Sequence, residues 1–184
     1  MKRTGMHHLG LVTLDIERTI DFYTKKLGWK VAWCDLVHPP KGGQIKHVFL
    51  DTGDGSYVAF MCPDKVPDVP TEFATDINSP QKLPGFFYHF AFWVDTLEEL
   101  EEKRAALTRA GVEVTSIVNH EWCKSIYFRD PNGLLLEYCV TVRELGDDDK
   151  LMREHPATEM FESDEDRQRS FPLMTGRAQL SSAK

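Results

Sequence analysis

The sequence predicts an α+β fold made of two tandem βαβββ modules that pair into a cupped mixed sheet. Three observations predict it. The chain runs through strand, helix, glycine and strand twice. Each pass ends in an apolar hairpin whose turn is rich in Asp, Asn and Gly. A proline-rich stretch separates the two passes.

The first pass opens with "HHLGLV", where apolar residues alternate as on a half-buried strand. The spacing of Ile16, Ile20, Tyr23 and Leu27 then predicts one apolar helical face, and Gly28 stops the helix. The hairpin "HVFLDTGDGSYVAFMC", residues 47–62, completes module one, assigned to residues 6–62. Five prolines between residues 63 and 85 forbid a regular element, so this segment reads as a linker or as a lid over a site.

Module two, residues 86–142, repeats the plan. "HFAFWV" is its first strand, and Thr96 with Glu99 forms a capping box. Leu97, Leu100, Arg104 and Leu107 line the helix, which Gly111 closes before the strand around "VEVTSIV". The hairpin "SIYFRDPNGLLLEYCV" ends it, with "DPNG" supplying the turn. Residues 1–142 thus form one domain. Beyond about residue 143 the pattern dissolves, and residues 143–184 read as a partly helical arm on a partner subunit or a mobile terminus.

The gross numbers narrow the function. A net charge of −7 and a pI near 5.5 oppose phosphate neutralisation, so no nucleic-acid partner is expected. The N-terminal residues lack the apolar stretch of a secretory signal, and no run approaches the ~20 apolar residues that span a bilayer. The expectation is a cytoplasmic protein without a membrane partner. Cys34, Cys62, Cys123 and Cys139 show no CxxC spacing and read as reduced thiols.

The polar residues of the repeat carry the chemistry. Superposing the modules puts His8 and His89 at corresponding points, with His7 the alternative to His8. Side chains alternate along a strand, so His8 shares a face with Gly10, and His89 shares one with Ala91 and Trp93. A small residue two places on leaves room for a ligand. On the last strand Leu135, Glu137 and Cys139 form one face, which delivers a carboxylate into an apolar setting. A buried carboxylate is costly unless paired, hydrogen-bonded or metal-bound. His8, His89 and Glu137 together would make a facial triad that leaves about three positions of an octahedral ion open. Taken singly, each histidine reads as a hydrogen-bonded core residue; their equivalence across the repeat favours the triad.

The segments "HHLGLVTLDIERTIDFYTKKLGWKV", "HFAFWVDTLEELEEKRAALTRAGVEV" and "SIYFRDPNGLLLEY" resemble the vicinal oxygen chelate superfamily, which includes glyoxalase I, extradiol dioxygenases, methylmalonyl-CoA epimerase, and fosfomycin-resistance and bleomycin-binding proteins. The resemblance covers roughly residues 6–142 and implies the cupped sheet, with His8, His89 and Glu137 as metal ligands. Glyoxalase I and the epimerase typically add a fourth ligand where this chain has Ala59, so the resemblance implies a three-ligand site like that of extradiol dioxygenases or the manganese-dependent thiol transferases. His120 and Tyr127 resemble catalytic residues of the dioxygenases. The histidine that many of those enzymes carry before the first module's last strand is replaced by Ser56 or Tyr57, and many have four modules where this chain has two.

The expectation is therefore a homodimeric extradiol-type dioxygenase that uses Fe(II), or Mn(II) or another divalent metal, to cleave a catechol-like diol with O2. The alternatives are an oxygen-independent lyase, isomerase or thiol transferase, and a protein that sequesters a planar ligand. Phe22, Trp29, Trp33, Trp93 and Trp122 offer aromatic surface for an apolar pocket.

Overall fold

The structure, a computed structural model, describes residues 5–176. The chain divides between Thr75 and Asp76 into two compact units. The proline-rich segment is split by this boundary, its first half belonging to one unit and its second half to the other.

In the first unit β1 (His8–Val12) is followed by α1 (Ile16–Asp21), then β2 (Lys30–Val37), β3 (Gln44–Asp51) and β4 (Tyr57–Asp64). The sheet order is β1-β4-β3-β2, with β1 parallel to β4 and the other pairs antiparallel. Asp15 caps α1 by accepting from the Arg18 amide at 2.9 Å. The apolar stripe does not continue as a regular α-helix: Phe22–Lys26 is a π-helical turn. Gly28 then leaves the helix at φ +77°, a conformation that favours glycine. Tyr23 is fully buried, with its ring centroid 5.2 Å from Phe60 and 5.0 Å from Trp29. Phe22 and Trp29 are thus core residues rather than pocket lining.

In the second unit β5 (His89–Trp93), α2 (Leu97–Arg109), β6 (Val118–Asn119), β7 (Cys123–Arg129) and β8 (Leu135–Thr141) form a sheet of order β5-β8-β7-β6. Thr96 accepts from the Glu99 amide at 3.1 Å, while the Glu99 carboxylate reaches Asp95 N rather than Thr96 N. Leu100 and Leu107 are buried, each contributing ~1.5–3 kcal/mol by leaving water. Arg104 fits the same stripe because its Nε donates to Thr115 O at 2.9 Å. In the β7–β8 turn the Asp130 carboxylate accepts from the Asn132 and Leu134 amides at 2.9 Å, and Gly133 takes φ +82°.

Two further features differ from the sequence reading. The strand expected around "VEVTSIV" is interrupted, with an isolated bridge at Val114 and only two residues in β6. Thr115 is the cause, since its hydroxyl takes the Tyr127 amide at 3.0 Å, and Ser116 turns toward Ser170. The tail also packs on the unit it follows. Ser163 caps α3 (Asp164–Thr175), Ser170 Oγ accepts from Ser116 N at 3.0 Å, and Phe161 and Met174 are buried with Val118, Tyr127 and Leu135. Among the described residues, no helix is long and apolar enough to cross a membrane.

Candidate metal centre

Glu137 is 4% exposed and lies between Ala91 on β5 and Tyr127 on β7. Its burial would be costly alone, and two side chains offset it. His89 Nε2 sits 2.9 Å from Glu137 Oε2, and the Ser125 hydroxyl donates to Oε1. Burial pushes the Glu137 carboxyl up, but the bonds from His89 and Ser125 outweigh it and hold the group below the usual carboxylate range.

The histidine is fixed at both nitrogens. His89 Nδ1 lies 2.8 Å from the Phe86 carbonyl, which can only accept, so Nδ1 carries a proton. Nε2 faces the Glu137 carboxylate, which favours the imidazolium form of the ring. Its pKa is accordingly raised, chiefly by the bond to Glu137.

Tyr127 and His120 complete this face. The Tyr127 ring is 5.8 Å from that of His89, and its hydroxyl lies 3.0 Å from His120 Nε2. Burial, followed by the Glu137 charge, pushes the phenol well up, so it stays protonated while sharing a hydrogen bond with His120. Burial lowers the His120 pKa and keeps that ring neutral at physiological pH. The structure thus brings His120 and Tyr127 into contact with one another. Trp93, on the His89 face, is 72% exposed.

His8 belongs to the first unit, where its ring is exposed and Nδ1 lies 2.8 Å from His7 Nδ1. The registers of the two units correspond. His8 pairs with Tyr57, and two residues on Gly10 pairs with Ala59, which pairs with Phe49. His89 pairs with Leu135, and two residues on Ala91 pairs with Glu137, which pairs with Tyr127. Ala59 holds the place of Glu137 and Phe49 that of Tyr127. The His8–Phe49 ring separation of 5.3 Å matches the His89–Tyr127 contact. Of the three ligand candidates, His89 and Glu137 come together within one unit. Among the described residues no cluster of three or more His, Cys, Asp or Glu side chains gathers at ligand spacing.

The donor chemistry of the pair suits a divalent ion. A carboxylate and an imidazole nitrogen are two of the three donors of a facial triad, and they already face one another. Only the Nε2 proton must leave for His89 to ligate. Sequence reasoning missed Ser125, although the period of two places it on the face of Tyr127. It also missed the Phe86 carbonyl, a backbone group without a residue-type signal.

Residues 5–138 match the family described as the Glyoxalase/Bleomycin resistance protein/Dioxygenase superfamily. The chain is 30% identical over 132 residues to a protein of Bacillus subtilis (strain 168) named "Putative ring-cleaving dioxygenase MhqA", a match covering 70% of this chain and 38% of that protein. The chain therefore spans well under half the length of that relative. Among solved structures, integron cassette protein HFX_CASS4 from the mobile metagenome of Halifax Harbour Sewage Outfall is 26% identical with a TM-score of 0.54, covering 75% of this chain and 99% of that one. A glyoxylase/bleomycin resistance protein/dioxygenase domain from Frankia sp. EAN1pec, 20% identical with a TM-score of 0.57, covers 78% of this chain and 95% of its own and shares the fold. The chain belongs to the glyoxalase/bleomycin resistance protein/dioxygenase superfamily.

Proposed function

We propose that this protein is a metal-dependent ring-cleaving dioxygenase for a catechol-like aromatic diol, with His89 and Glu137 as two metal ligands. The observation that carries the reading is the pairing of buried Glu137 with His89, with the Tyr127–His120 pair beside it. The relative named as a ring-cleaving dioxygenase favours oxygen chemistry over the other reactions of the superfamily.

Fe(II), or Mn(II) in its place, would be held by His89 and Glu137 and would supply the redox chemistry that couples the diol to O2. The chain's own residues do the rest. Ser125 holds the Glu137 carboxylate in one orientation, and Phe86 holds the His89 ring. Neutral His120 can take a proton from a diol hydroxyl, and the Tyr127 hydroxyl can donate to a developing charge on a substrate oxygen.

The test is a panel of catechols given to protein purified without oxygen and reloaded with Fe(II). The reading predicts uptake of one O2 per diol and the yellow absorbance of a ring-opened product. Turnover of a dicarbonyl–thiol adduct or an epoxide without oxygen, and none of any catechol with it, would contradict the reading.

A further inference from the structure

The loop from Gly85 to Tyr88 is held from three directions. Asn78, 3% exposed, donates to Gly85 O at 2.9 Å and Tyr88 O at 2.8 Å and accepts from Tyr88 N at 3.0 Å. Gly85 N donates to Thr175 O at 3.3 Å, at the end of α3. Arg129 packs against Gly85 on the third side, its Nη1 donating to Gly133 O at 2.8 Å and its Nη2 donating to Leu173 O at 3.2 Å and to Gly176 O. The approach is so close that a Cβ on Gly85 would collide with Arg129 Nη2 and lie 2.8 Å from the carbonyl oxygens of Met174 and Gly176.

The next carbonyl along this loop, Phe86 O, is the one that His89 Nδ1 contacts at 2.8 Å. A continuous path thus runs from Thr175 O at the end of the C-terminal helix, through Gly85 N and the Gly85–Phe86 backbone, to the imidazole, while Arg129 braces the helix end through Leu173 O and Gly176 O. A partner on the distal nitrogen of a metal-bound histidine sets which nitrogen is protonated and how the ring is aimed. We propose that Arg129 and the C-terminal helix α3 are positioning elements of the metal site, holding the Gly85–Tyr88 loop so that Phe86 O keeps His89 Nδ1 protonated and directs Nε2 to the metal. This rests on the metal-centre reading above. It gives the tail a role that its composition did not suggest.

The experiment compares full-length wild type with Gly85→Ala, which wedges the latch, and Arg129→Gln, which removes its charged fork. Leu107→Ala is the control, a core change in α2 that lowers stability without touching the loop. Two quantities are read: the His89 Nδ1–H resonance of metal-free, histidine-labelled protein, and the Mn(II) dissociation constant. Gly85→Ala and Arg129→Gln are expected to lose the resonance and to weaken Mn(II) binding on the order of 10- to 100-fold, while Leu107→Ala keeps both. If both latch variants keep the resonance and the wild-type affinity, or if Leu107→Ala loses as much, the positioning role is overturned. If wild type binds no Mn(II), the metal-centre reading fails by itself, and the resonance alone then decides whether the latch orients His89.

Discussion

Glu137 Oε2 and His89 Nε2 lie 2.9 Å apart on neighbouring strands, so this buried carboxylate is an ion-pair partner in the metal-free protein and, under the proposed function, a ligand once the Nε2 proton leaves. Proton and metal would then compete for the same nitrogen. Most of what can be tested about the site follows from that competition.

Metal affinity should rise with pH through the raised pKa of His89, a step lying above the ordinary imidazole value of 6.5. Calorimetric titration with Mn(II) in buffers of different ionisation enthalpy should show one proton released per metal. The metal-free protein has the opposite dependence at that end. The stability from His89 is complete below pH 6.5 and lost as pH rises through its raised folded pKa, while that from Glu137 is present above pH 4.5 and lost as pH falls through its lowered one. Thermal unfolding without metal should therefore be most stable between these limits, and Glu137→Gln should flatten the profile.

Ser125→Ala removes a hydrogen bond to a charged, buried oxygen. The metal-free protein should lose ~1.5–3 kcal/mol, measured by urea unfolding. Metal affinity should fall about 10-fold, because the carboxylate is no longer held in one orientation.

Tyr127→Phe keeps the ring in the buried cluster with Val118 and Leu135 and deletes only the hydroxyl. The fold should persist while kcat on the best catechol falls on the order of 100-fold and KM changes little. His120→Asn should cost a similar factor. If the two residues act through their shared hydrogen bond, the double variant should lose less than the product of the two single losses.

What the sequence made legible was local or repeated. Gly28, Gly111 and Gly133 adopt the positive φ that their turns demand, Asp15 and Thr96 cap as their types require, and the repeat pairs Gly10 with Ala59 as it pairs Ala91 with Glu137. What stayed hidden depends on contacts distant along the chain. Thr115 breaks its strand because Tyr127 lies across from it, and α3 packs because Ser116 and Arg129, some 45 to 55 residues earlier, supply its partners. In the site, Glu137 and His89 were visible as side chains on the right faces. Phe86 O was not, because a backbone carbonyl gains its role only from where the loop places it.

The most direct test is metal stoichiometry and affinity in anaerobically purified wild type and Glu137→Gln, with circular dichroism alongside. An amide is a poor ligand for a hard divalent ion. The account predicts about one Fe(II) or Mn(II) per chain in wild type, and at least a 100-fold weaker affinity in a variant whose fold is unchanged. Equal metal binding by the two proteins, or none by wild type, would contradict it.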